Sequence, residues 1–191
     1  MEINGMTISN LQVYGLGNSI RVSKFPMQVD TSKCDYSVTE RTKSLANAER
    51  GSGHDNFLCG IIVQFDLTFS NKAWIEAERY HWFEIVSSQS TMHKINKMDF
   101  DSCFNEYVTE STKKEMERLK NEYEQNKTPE NYLRLLYNCP SGILITAGIS
   151  TNYQQLKTIY AQRKNHRLPE WRAFCYWMEK LPHSEFITGK E

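Results

Sequence analysis

The chain has 191 residues, a length that suits one domain with a substantial core, and its 23 basic residues balance 23 acidic ones. Without a net positive charge or a dense basic run, a polynucleotide partner is disfavoured. The longest apolar stretch, residues 61–69, is interrupted by polar residues, so we expect no membrane span and a soluble, cytoplasmic protein.

The five cysteines are widely separated, and none lies in a C-x-x-C pair: Cys34, Cys59, Cys103, Cys139 and Cys175. Structural zinc sites and disulfide frameworks both use closely paired cysteines or an even number of them. We therefore interpret these residues as reduced thiols that pack in the protein, and we expect no metal site.

The N-terminal region contains a plausible strand, Leu11–Tyr14, with a possible continuation at Ile20–Val22. Gly15 and Gly17 lie between the two segments and permit a turn. The polar segment 32–52 is compatible with a mobile loop or with a surface helix, and both remain open. No repeat or linker divides the sequence, so we expect a single domain over residues 1–191.

The clearest strand spans residues 61–69, where apolar and partly polar positions alternate with a period of two. Gly53 and His54 precede it. A histidine at that point can reach a neighbouring site, although most single histidines are surface or core residues.

An apolar stripe predicts a helix over residues 71–87. The next run, Ser87–Lys94, is rich in hydroxyl and amide groups and ends in a lysine. Such a run is compatible with a surface turn or with a phosphate or sugar site.

The C-terminal half is predicted to be mainly helical. Glu110–Lys127 is a charged helix, and Thr128-Pro129 opens another that continues to Tyr137. Residues 143–145 are either a short strand or a buried helix entry. Two helices follow, over residues 151–171 and 168–180, and the second carries an apolar band that we expect in the core.

Arg163 occupies an unusual place in the first of these two helices. Asn152, Leu156, Ile159 and Arg163 follow at steps of four, three and four, which puts a guanidinium on a face with core aliphatic residues. Burial of an unpaired charge is costly. Arg163 therefore requires either an internal acid, such as Glu84 or Glu170, or a bound anion.

Three segments resemble the flavin-dependent thymidylate synthases (ThyX), in the order found in that family. Gly53-His54 resembles its G-H element, and Ile85–Lys94 is similar to the latter half of its R-H-R-x-x-S-x-N-E-x-S-x-R motif. The pattern from Asn152 through Arg163 to His166 resembles the family's C-terminal signature. The resemblance implies an α+β fold in which an antiparallel sheet packs against a helical layer. It also implies a homotetramer with shared active sites.

The resemblance further implies roles for individual residues. Arg163 would contact a pyrimidine and withdraw electron density from it, which makes it the candidate catalytic residue. The other candidate substrate contacts are Arg79, Gln89, Ser90 and Lys94, with Lys94 at the nucleotide phosphate. The candidate cofactor contacts, to FAD, are His54, Ser87, Asn152 and His166. The family reaction transfers a methylene group to deoxyuridylate and reduces it with flavin hydride.

The arginine-rich start of the long motif is different in this chain. The R-H-R triplet aligns with Trp82-Phe83-Glu84, whereas a shifted register aligns it with Arg79-Tyr80-His81. Loss of two arginines removes charge that a nucleotide or a dinucleotide would need. Three hypotheses follow: a divergent, phage-type enzyme of this superfamily acting on a pyrimidine nucleotide, a nucleotide- or anion-binding protein without flavin, and a structural assembly protein.

Overall fold

The computed structural model describes residues 2–3, 6–49 and 51–190, which form an α+β fold built on one antiparallel sheet. The sheet has the strand order β1-β2-β3-β5-β4. Its strands are β1 Glu2–Ile3, β2 Met6–Tyr14, β3 Ile62–Ser70, β4 Glu84–Ser88 and β5 Leu144–Asn152. The helices are α1 Leu16–Val22, α2 Glu40–Ala46, α3 Asn71–Ala77, α4 Thr91–Lys94, α5 Glu110–Gln125, α6 Pro129–Tyr137, α7 Tyr153–Arg163, α8 Pro169–Met178 and α9 Glu185–Thr188.

The core lies between one face of the sheet and α8. Phe65 and Phe69 on β3 point to this face, as the period of two in the sequence predicts. The Phe65 ring lies 4.8 Å from that of Trp177, and the Phe69 ring lies 5.0 Å from that of Trp171. The apolar band of the last long helix is therefore core, as expected.

The opposite face of the sheet is polar. Thr7, Thr68 and Thr146 stand side by side on β2, β3 and β5, and their hydroxyl groups form a hydrogen-bonded row with two distances of 2.8 Å. Asp66 accepts a hydrogen bond of 2.5 Å from the side chain of Asn10 on the same face. These pairs satisfy polar groups that the sheet leaves only partly buried.

The predicted strand continuation at Ile20–Val22 is wrong, because these residues end helix α1. Gly15 begins the change of direction with a φ of +73°, and a Cβ there would lie 2.4 Å from the carbonyl oxygen of Gly60. This backbone conformation suits glycine and directs the chain out of β2 into a helix.

The predicted helix over residues 71–87 is too long. Helix α3 ends at Ala77, and Glu84–Ser88 form the edge strand β4, which pairs with β5. Within the segment 32–52, residues Glu40–Ala46 form helix α2, which Thr39 opens with a capping box. Helices α5 and α6 begin where predicted. Of the two alternatives for residues 143–145, the strand is correct, because Leu144 and Ile145 begin β5.

Candidate functional site

Arg163 is buried at the C-terminal end of α7, with only 7% of its surface exposed. Its Nε donates to the hydroxyl of Tyr80 at 2.6 Å, and its Nη1 donates to Glu76 Oε2 at 2.7 Å. The guanidinium also lies over the ring of Trp171, 4.9 Å from the centroid. Two of its three nitrogens thus have protein partners, and an aromatic face stabilises the charge.

The acid that pairs with Arg163 is Glu76 on α3, and the sequence-based suggestion of Glu84 or Glu170 is wrong. Glu84 is exposed on the edge strand β4, and Glu170 makes no hydrogen bond to Arg163. Glu76 also lies 3.5 Å from Lys72 Nζ, one helical turn earlier. An internal carboxylate therefore supplies the anion that the buried charge of Arg163 requires.

His166 completes this cluster. Its Nδ1 accepts a hydrogen bond from the backbone N–H of Leu168 at 3.2 Å. Nε2 lies 3.2 Å from Glu76 Oε2 and 2.7 Å from Arg163 Nη1. Burial lowers the pKa of His166, and the nearby charge of Arg163 lowers it further, so the imidazole is neutral near pH 7.

The third nitrogen of Arg163 opens on a cleft. Nη2 has no hydrogen-bonding partner among the described residues. It is nevertheless accessible to solvent, since the only unpaired side-chain nitrogen or oxygen that is fully buried in the described residues is Trp171 Nε1. The cleft has a volume of about 620 Å³. We call it the Arg163 cleft, and it is lined by Arg79, Tyr80, His81, Trp82, Gln155, Thr158, Gln162 and Arg163.

The lining of the Arg163 cleft is rich in cations and hydrogen-bond donors. Arg79, a predicted substrate contact, is exposed on it, so the structure brings Arg79 and Arg163 to one site. None of the described lining residues is an acid. Trp82 is 56% exposed, and its ring packs against that of His81 with centroids 4.7 Å apart. The cleft can thus offer charge and an aromatic face to one ligand.

The run Ser87–Lys94 lies apart from the Arg163 cleft within one chain. Ser87 is on the edge strand β4, and Lys94 is exposed at the end of α4. Gln89 and Ser90 line a different cavity of about 410 Å³, together with apolar residues such as Trp74. A single ligand site that used both Arg163 and the Ser87–Lys94 run could therefore not be formed by either cavity alone.

The other predicted cofactor contacts are also separate. His54 is exposed in the loop before β3. Asn152 lies at the end of β5 rather than on the helical face predicted for it, and its side chain caps α7 by accepting the Gln155 N–H at 2.8 Å. Of the four predicted cofactor contacts, only His166 lies in the Arg163 cluster.

The described residues show no evident metal site, and the thiol that lines the second cavity is not activated. Those residues contain no group of three or more His, Cys, Asp or Glu side chains that could hold a metal ion. All five cysteines are free thiols. Burial raises the pKa of Cys139, which lines the second cavity, to about 12, so it remains protonated at neutral pH and is a poor nucleophile. No helix in the described residues is long and apolar enough to cross a membrane.

Comparisons with known proteins give the class of the fold. No protein-family model matches the sequence, and a search of curated proteins finds no match. Solved structures do match: two structures of ThyX from Helicobacter pylori, both with FAD and dUMP, superpose with TM-scores of 0.74 and 0.72. In both cases the identity is 14%, and the match covers 96% of each chain. The chain therefore has a ThyX-like fold, as the sequence resemblance implied.

Several residues of the cleft were not among the predicted site residues. Gln155, Thr158 and Gln162 follow at steps of three and four along α7, a spacing that is visible in the sequence and forms a stripe beside the one that holds Arg163. Glu76 and Tyr80 come from a segment more than 80 positions earlier, and no spacing rule connects them to Arg163.

Proposed function

We propose that this chain binds a pyrimidine nucleotide in the Arg163 cleft, as a divergent, phage-type protein of the ThyX superfamily folded as a single domain. The observation that carries the proposal is the unpaired Nη2 of a buried arginine at the base of that cleft. A buried guanidinium with a free N–H edge favours a ligand with an oxygen acceptor. The likeness of the fold to a protein solved with dUMP supports a nucleotide as that ligand.

The charges around the cleft support an anionic ligand. Glu76 offsets the charge of Arg163, which leaves Arg79 as an uncompensated cation on a lining without acids. A nucleotide phosphate can pair with such a cation, and the base can then lie against Arg163.

The fit of a flavin is poorer than that of a nucleotide. Residues 82–90 contain no cation, and Glu84 adds a negative charge to this segment. His54, Ser87 and Asn152 do not converge within one chain, and Asn152 is engaged in capping α7. The described residues of one chain therefore do not form a cradle for the pyrophosphate of FAD. We accordingly favour nucleotide binding over flavin-dependent methylation.

Shared sites in a homotetramer would explain the separation of the predicted contacts. Gln89 and Ser90 line a cavity that shares no described residue with the Arg163 cleft of the same chain, and Lys94 lines neither cavity. If the Lys94 segment of one subunit completes the cleft of another, the base and the phosphate are held by different subunits. This arrangement is part of the proposal.

The direct test is thermal unfolding with and without deoxyuridylate at a fixed protein concentration. A ligand at a hundred times its dissociation constant stabilises the folded protein by about 2.7 kcal/mol. We expect Arg163→Ala to abolish the shift. Arg118→Ala, on the exposed face of α5, is the control and should leave it unchanged. A wild-type protein that deoxyuridylate does not stabilise would exclude the proposed function.

Two further measurements address flavin and subunit sharing. A flavin absorbance band after mixing with FAD would restore the enzyme hypothesis, and a colourless protein would support binding without flavin. For shared sites, Arg163→Ala and Lys94→Ala subunits are co-expressed. Mixed tetramers contain some sites with both residues intact and should recover part of the binding that each variant lacks alone. Absence of recovery would show that one chain supplies both residues.

A further inference from the structure

Two glutamines in the Arg163 cleft have their orientations fixed by the protein. Gln155 is 94% buried, and its Oε1 accepts the backbone N–H of Trp82 at 3.3 Å. The Oε1 of Gln162 lies 3.0 Å from the hydroxyl of Tyr80, and that hydroxyl accepts from Arg163 and so donates its own proton to Gln162. In both amides the oxygen is committed to the protein, so the NH₂ group is the end left for a ligand.

Those two NH₂ groups are unpaired. Neither Nε2 atom has a hydrogen-bonding partner among the described residues. Gln155 Nε2 keeps contact with solvent, since it is absent from the fully buried, unpaired atoms of that part of the chain. A buried polar group of this kind gains most from a ligand that supplies an acceptor.

Thr158 lies between the two glutamines on the same helical face and has the opposite character. Its hydroxyl donates to the carbonyl oxygen of Gln154 at 3.2 Å, which leaves only acceptor lone pairs for the cleft. In helix order, Gln155, Thr158 and Gln162 therefore present a donor, an acceptor and a donor to one cleft.

We infer that this row of Gln155, Thr158 and Gln162 recognises the edge of a pyrimidine-2,4-dione, which presents an acceptor, a donor and an acceptor. The inference rests on the proposed function and adds base selectivity to it. Uracil has this edge at O4, N3–H and O2, and the isoalloxazine ring of a flavin has it too. Cytosine presents a donor, an acceptor and an acceptor. Its amino group would therefore face a donor of the row, and its N3 would face the acceptor, so two of the three hydrogen bonds could not form.

The exposed ring of Trp82 has a different role. It lies on the same cleft and can stack on any planar base, since stacking on an aromatic side chain depends little on which base is present. Trp82 should therefore add affinity, and the row should add discrimination.

The test is calorimetric titration of the full-length protein with deoxyuridylate, deoxycytidylate and FMN. We expect wild type to bind deoxyuridylate about 10-fold or more tightly than deoxycytidylate. Gln162→Glu keeps the acceptor for Tyr80 and replaces the NH₂ donor by an acceptor, so the ratio should fall toward one or reverse. Gln155→Glu does the same at the buried position. The ratio is the readout because an added negative charge weakens both nucleotides.

Controls separate selectivity from folding and from binding as such. Gln28→Glu, a matched change in an exposed loop, should leave both affinities unchanged, whereas Trp82→Ala should weaken both nucleotides equally. If Gln155→Glu does not fold, the exposed Gln162→Glu still decides the matter. If deoxyuridylate displaces bound FMN, the row also recognises the dione edge of the flavin ring. FMN that does not compete would assign the edge to uracil alone.

The results that overturn the inference differ from those that overturn the proposed function. Equal affinity for the two nucleotides, or a ratio that neither glutamate variant changes, refutes recognition of the dione edge and leaves nucleotide binding intact. If none of the three ligands binds, the inference and the proposed function both fail.

Discussion

Replacement of Glu76 by glutamine tests whether the internal ion pair holds Arg163 in place. The side chains of Arg163 and Glu76 are 9% and 18% exposed, and their nearest atoms lie 2.7 Å apart. Loss of one partner from a buried pair costs about 3–5 kcal/mol. Partial exposure, and the ability of glutamine to accept one hydrogen bond, reduce this figure, so we expect a loss of about 2 kcal/mol in the free energy of unfolding. For a chain of this length, that corresponds to a fall in Tm of roughly 4–8 °C.

The assay is urea unfolding at pH 7.5 and a fixed protein concentration. Glu78→Gln, two positions later and exposed, is the matched control and should change stability by less than about 0.5 kcal/mol. Glu76→Gln also removes the negative charge beside Arg163, so deoxyuridylate should bind more tightly to this variant. A variant as stable as wild type, with unchanged affinity for the nucleotide, would refute the reasoning.

Three further predictions concern the elements around the cleft. Lys157→Met removes the ammonium group that donates to Ala46 O, Ala48 O and the buried Asp55, so we expect the free energy of unfolding to fall by about 3 kcal/mol. Proteolysis near residue 48 should become faster, and an unchanged cleavage rate would show that Lys157 does not hold this segment in place. Asn152→Ala should cost about 1 kcal/mol through loss of the helix cap, whereas Asn152→Asp, which keeps the acceptor, should be near wild type; equal losses in both would contradict a capping role. Because the pKa of His166 is lowered by folding, the unfolded chain takes up a proton below about pH 6.5 while the folded chain does not, so stability should fall as the pH is lowered through this range. The measurement is the free energy of unfolding at pH 7.5 and at pH 5.5, and the difference between the two should be smaller for His166→Asn than for wild type.

The strands and long helices with a clear internal period were predictable from the sequence. Strand β3 alternates over its whole length because one of its faces is core, and α6 carries its own start signal in Thr128-Pro129. Strand β4 was not predictable, because all five of its residues are exposed and it pairs with β5, some 60 positions later. The wrong assignment of residues 78–87 to a helix follows from that long-range pairing.

The candidate site was predictable where its residues lie on one helix. The position of Arg163 on an inner face indicated that it needed an anionic partner, and Glu76 is the acid that the fold supplies. The identity of that acid depends on how α3 packs against α7, which periodicity within either helix cannot reveal. Asn152 was placed on the helix face because the predicted helix began at residue 151, two residues before α7, and Asn152 is the residue that caps α7.

The Arg163–Glu76 pair joins side chains 87 positions apart, and the Trp171 ring beneath the guanidinium belongs to α8, which follows α7 in the chain. During synthesis, the nascent polypeptide therefore contains β1 to β5 before it contains the layer that covers them. A ribosome-bound chain that ends before residue 169 lacks Trp171, Phe174 and Trp177, the α8 rings that pack on β3, so under the proposed function it should be unable to retain a nucleotide. The proposed nucleotide binding would thus be acquired only after α8 has been synthesised, and nucleotide capture would report that α8 has docked on the sheet.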